Sequence, residues 1–80
     1  MEEQLKQLYN DYMKTKQFNA SYYRRMMKIY REYPNDNTEL ANVFKYVMQR
    51  TETTKTCLYS MRIRFIAVMS SIMPLIQNGV

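Results

Sequence analysis

Apolar side chains in this chain recur at i, i+3, i+4, i+7 and i+8, the spacing that gathers them on one face of an α-helix. Leu5, Leu8, Tyr9, Tyr12 and Met13 do so in a first segment over residues 2–16, and Leu40, Val43, Phe44, Val47 and Met48 in a third over residues 38–50. Between them, residues 20–33 place Tyr22, Met26, Ile29, Tyr30 and Tyr33 on one side of a helix at 100° per residue. A fourth segment, from Thr53 or Thr54 to about Met73, aligns Leu58, Met61, Phe65, Val68, Met69 and Ile72. No strand alternation, internal repeat or low-complexity tract competes with this period. The expected fold class is all-α, a small helical bundle of one domain over residues 1–80.

Punctuation between the segments agrees. Glu2 and Glu3 suit the positive end of a helix dipole, and Lys14 and Lys16 suit the other end. Asn19 or Ser21 can cap the second helix, and Tyr33-Pro34 ends it, since proline disfavours helical backbone in the residue before it. Asp36 with Glu39 three residues on reads as a capping box for the third. The short link Pro34–Asn37 implies that the second and third helices fold back on each other as an antiparallel pair. Gly79 is the one glycine, and Pro74 sits at the expected end of the fourth helix.

A chain of 80 residues builds a thin core worth only a few kcal/mol. One cysteine, Cys57, allows no intrachain disulfide and reads as a small core residue rather than a reactive thiol. The fourth segment also has Ile63, Ile66 and Ala67 outside its core stripe, so it is apolar on more than one face. Eight Met and eight Tyr are more than so small a core needs, and both types are favoured on binding surfaces. A partner is the natural cover for the surplus.

The net charge of +5 is local. Residues 1–18 and 34–56 balance, whereas residues 19–33 carry Arg24, Arg25, Lys28 and Arg31 against Glu32, and residues 57–80 add Arg62 and Arg64 with no acid. Arg24, Lys28 and Arg31 lie opposite the apolar side of their helix. Such a row suits an acidic protein surface or a phosphate backbone, and is also what an ordinary solvated face looks like.

Catalytic constellations are scarce. The chain has no histidine, which removes Cys–His and Ser–His dyads, and a single glycine cannot build a phosphate-cradling loop. No set of cysteines and histidines could hold zinc. The reading is that the protein is not an enzyme and has no metal or cofactor of its own. The opening Met1-Glu2-Glu3 is unlike a targeting peptide, and the apolar run Phe65 to Ile76 is too short to span a bilayer.

Two binding readings follow. A nucleic-acid reading would use the cationic row, with the second and third helices as a helix-turn-helix. Against it, the link Pro34–Asn37 lacks a glycine turn and the third helix carries only Lys45 and Arg50, which makes nucleic acid the less favoured partner. A protein reading places an acidic helix on the same row.

The stretch Tyr22-Tyr23-Arg24-Arg25-Met26-Met27-Lys28-Ile29-Tyr30-Arg31-Glu32-Tyr33-Pro34 resembles the first helix of the mitochondrial LYR-motif family. Tyr23 and Arg24 match the motif, and Tyr22 stands where its leucine is expected. Phe44 falls where that family places a phenylalanine, and the tract from Tyr46 to Ser60 is similar to a second-to-third helix junction among LYR-like assembly factors. The resemblance covers about residues 20–73. It implies a three-helix core over residues 19–76, an extra N-terminal helix over residues 1–18 and a tail at 77–80. It also implies an accessory subunit or assembly factor of a mitochondrial respiratory-chain or ATP synthase complex, at the matrix or the matrix face of the inner membrane. On that resemblance Tyr23, Arg24, Arg25, Lys28, Arg31 and Phe44 would meet the partner, acyl carrier protein among the candidates. An acyl-phosphopantetheine chain brought by it would run past Met26, Met48, Met61 and Phe65, positions that ordinary core packing also explains.

Overall fold

The computed structural model describes residues 1–32, 35–52 and 60–78. Four helices follow in order: α1 (Glu2–Thr15), α2 (Ala20–Glu32), α3 (Glu39–Glu52) and α4 (Met61–Asn78). No strand occurs among the described residues. Tyr33, Pro34, the helix start placed at Thr53 or Thr54, Cys57 and Leu58 lie outside them.

Local chemistry fixes the helix ends. Lys16 closes α1 in the left-handed conformation at φ 55°, and its N–H donates to the Tyr12 carbonyl at 2.7 Å. Asn19 caps α2, its Oδ1 accepting from the Ser21 N–H at 2.9 Å. For α3 the capping residue is Thr38, not Asp36. The Thr38 Oγ1 accepts from the Ala41 N–H at 3.1 Å, while Asp36, two residues earlier, accepts from the Thr38 N–H through its Oδ1 at 3.4 Å. Within the described residues α4 begins at Met61, with the Ser60 Oγ accepting from the Ile63 N–H at 3.2 Å.

The helices close over one core. Leu5 and Leu8 of α1, Met26 of α2, Phe44 and Met48 of α3, and Phe65, Val68 and Ile72 of α4 are all fully buried in it. Phe65 collects the edges and faces of three other rings: Tyr12 at 5.1 Å, Phe18 at 5.4 Å and Tyr22 at 5.9 Å between centroids. The N-terminal helix is thus built into the centre, because its stripe supplies two of the core's leucines.

Helix α4 packs against each of the other three, and α1 against α2. The expected direct pairing of α2 with α3 gives way to this arrangement. α4 is the most apolar helix and takes the central place, so α2 and α3 lean on it. They touch through Tyr30, whose ring meets Phe44 edge-on at 6.0 Å.

A second correction concerns the end of α4. Pro74 does not stop it, and the helix runs on to Asn78. Proline removes one backbone donor, leaving the Ser70 carbonyl without its intrahelical bond, but Ser70 is exposed and water can reach it. Beyond Pro74, Leu75 and Ile76 pack on the core, and the Gln77 Nε2 donates to the Tyr9 Oη at 3.1 Å. Those contacts hold the last turn in place.

Candidate docking surfaces

The cationic face of α2 begins with its spacing. Arg24, Lys28 and Arg31 are exposed, while Met26 and Ile29 on the other side are buried. Among the described residues none of the three cations forms an ion pair, so all three are available to a partner. No described helix is long and apolar enough to cross a membrane. No group of three or more His, Cys, Asp or Glu side chains among the described residues could hold a metal ion.

Arg25 belongs elsewhere. It is half-buried and pairs with Asp11 of α1 at 3.0 Å. Asp11 also accepts from the Gln7 Nε2 at 2.8 Å and lies 3.8 Å from Lys14. The Gln7 hydrogen bond is the largest influence on the Asp11 carboxyl; desolvation, next in size, opposes it, and the Arg25 guanidinium and the Lys14 charge add to it, so that the carboxyl is held below the ordinary aspartate value. Arg25 therefore ties α1 to α2 rather than facing outward. A cleft of about 300 Å³ opens beside this pair, lined by Gln4, Gln7, Arg25, Lys28, Ile29 and Glu32.

No protein-family model, curated protein or solved structure matches the chain.

Two residues expected at the partner surface point inward. Phe44 is wholly buried, because its place in the third apolar stripe puts it beneath Tyr30. Tyr23 is partly buried, and its hydroxyl accepts a hydrogen bond from the Arg64 Nη1 at 2.9 Å. The positions expected along an acyl chain are also accounted for. Met26, Met48 and Phe65 are fully buried in the core, and the described clefts are lined by other residues. Met61 opens α4 and is 50% exposed, so it stands at the rim and not in the interior.

Arg64 is the residue that sequence reasoning misplaced most. It is buried, not part of a basic surface. Its Nε donates to the Thr51 Oγ1 at 2.8 Å, its Nη2 to the Met48 carbonyl at 2.8 Å, and its Nη1 to Tyr23 and to the Met27 Sδ at 3.7 Å. All four acceptors are neutral. Thr51 and Met48 stand at the C-terminal end of α3, where the helix dipole is negative and favours a cation. Among the described residues no buried side-chain polar atom is left without a partner. Arg64 thus fastens α2, α3 and α4 together.

The outer side of α4 supplies a second surface. Ile63 is 50% exposed, and Ile66 and Met73 are each 37% exposed. The surplus apolar face expected from the sequence is present on the folded chain. A cleft of about 230 Å³ runs between this face and α1, walled by Tyr12, Met13, Ile66, Met69 and Met73, with Lys16 at its rim.

Proposed function

We infer that this protein is a non-catalytic docking subunit whose α2 face holds an acidic protein surface. One observation carries the reading: Arg24, Lys28 and Arg31 stand in an exposed row on a rigid helix, none of them paired among the described residues. Unpaired cations on a fixed helix attract and orient an acidic partner at little conformational cost. The packed core beneath holds that row in place.

The resemblance of residues 22–34 to LYR proteins gives the reading a specific form. The chain would serve a mitochondrial respiratory-chain or ATP synthase complex as an accessory subunit or assembly factor, with the acidic helix of acyl carrier protein lying along α2. The burial of Met26, Met48 and Phe65 favours docking by surface contact over entry of an acyl chain into the bundle.

The test is a binding titration with acyl carrier protein, using the full chain and the variant R24E/K28E/R31E. The native chain should bind in a salt-sensitive manner, and the variant should lose at least about tenfold in affinity while keeping its helical circular dichroism. Equal binding by a folded variant would remove the α2 face from the account.

A further inference from the structure

The cationic row of α2 borders a cleft that the docking reading leaves unused. At about 100° per residue, Arg24, Lys28 and Arg31 span about 60° of the helix surface, and Arg25, Lys28, Ile29 and Glu32 take up roughly the next 100°. Lys28 belongs to both sectors. The second sector forms one wall of the cleft of about 300 Å³, and Gln4 and Gln7 of α1 form the other. The two helices run in opposite directions, since Asp11 meets Arg25 while Gln4 shares the cleft with Glu32. A partner lying along the cations therefore also lies along the mouth of a groove between two helices.

The chemistry of the cleft selects what enters it. An anion has little to hold there. Arg25 is half-buried and already paired with Asp11 at 3.0 Å, and the exposed Glu32 opposes negative charge at the other end. A cation is opposed in turn by Arg25 and Lys28. Carbon makes up most of the wall, and the buried Ile29 lies at its base. Gln4 and Gln7 add neutral carboxamides, and the Gln7 Nε2 is committed to Asp11. An uncharged aliphatic side chain fits that lining, where it leaves water without stranding a charge.

The row fixes the kind of backbone that carries this side chain. Arg24, Lys28 and Arg31 follow one another at helical spacing over about 10 Å of axis. A second helix with carboxylates at i, i+4 and i+7 meets all three, and the positions beside its acidic row then overhang the cleft.

We propose that the cleft between α1 and α2 is a specificity pocket that takes one aliphatic side chain, of about leucine's size, from the flank of the acidic helix held by the α2 cations. This rests on the reading of α2 as an acid-binding face, and it adds that charge alone does not select the partner. The cations attract and orient an acidic helix, and the cleft distinguishes one such helix from another. The N-terminal helix takes part in recognition, because it supplies a wall of the pocket.

The test uses the full chain and two synthetic helical peptides. Each carries glutamates at i, i+4 and i+7. One has leucines on both flanks of that row and the other has glutamines, whose helix propensity is similar. The leucine peptide should bind about tenfold more tightly, with nuclear Overhauser contacts between its methyl groups and those of Ile29. Gln4→Trp fills the cleft from an exposed position. It should erase the difference between the peptides and keep the weaker, salt-sensitive binding of the glutamine peptide, with unchanged helical circular dichroism. Equal affinity of the native chain for both peptides overturns the pocket and leaves the cationic row standing. A preference that survives in Gln4→Trp does the same. Resonances of Gln7 and Ile29 that shift with inorganic phosphate alone would make the cleft an anion site, which also overturns the proposal. Binding of neither peptide overturns the row and the pocket together.

Discussion

Arg64 lies in the interior, its guanidinium among a hydroxyl, a phenol, a thioether and a backbone carbonyl. Truncating it would leave the Met48 carbonyl and the Thr51 and Tyr23 oxygens without their donor. Arg64→Ala should therefore cost about 3 kcal/mol of stability, read as a lower urea midpoint, and Tyr23→Phe about 1 kcal/mol. The double variant should cost less than the two summed, because both substitutions remove the same bond. In the sequence Arg64 was indistinguishable from Arg62. The available signal was its position in a helix apolar on several sides, where a cation at the edge of the core stripe has apolar neighbours to pass. Asp11 makes a prediction of opposite kind. Its carboxyl is held below the ordinary value of 3.8, so its charged form is favoured in the fold. That contribution is present above the ordinary value and disappears as pH falls through the lowered one. Asp11→Asn should be less stable than the native chain at neutral pH, and the gap should close in acid well below 3.8.

At the level of helices, periodicity located all four, because each must bury one stripe and the stripe is written at 3.6-residue spacing. Leu5, Leu8, Met26, Phe44, Met48, Phe65, Val68 and Ile72 were all legible in this way, and all are buried. Resemblance to a family drew Phe44 outward to a partner, whereas its own stripe had already placed it inside. The end of α4 was less legible. Local rules stop a helix at proline, but tertiary contacts of Leu75, Ile76 and Gln77 outweigh them here. Pro74→Ala should restore the missing backbone bond to Ser70 and raise stability by roughly 1–2 kcal/mol, partly offset by a freer unfolded chain. Thermal unfolding would show this as a higher midpoint. An unchanged or lower midpoint would mean that the proline ring itself is packed usefully at that turn.

For the whole molecule, the pairing of helices was the least legible feature. Link length argued for α2 against α3, but burial is won by placing the helix with the most apolar surface in the middle, and that helix is α4. Its remaining outer face and the cationic face of α2 are two of the surfaces that the core does not use. They differ in kind, one uncharged and apolar, the other a row of three cations, and the second carries the functional reading. A basic row alone could serve phosphates as well as carboxylates, and the two alternatives separate in one experiment. Titrate the full chain at low salt with acyl carrier protein and, in parallel, with duplex DNA. Saturable binding of the acidic protein, abolished by R24E/K28E/R31E and not matched by DNA, is the predicted result. Binding of DNA that falls steeply with salt, with no binding of acyl carrier protein, would contradict the account.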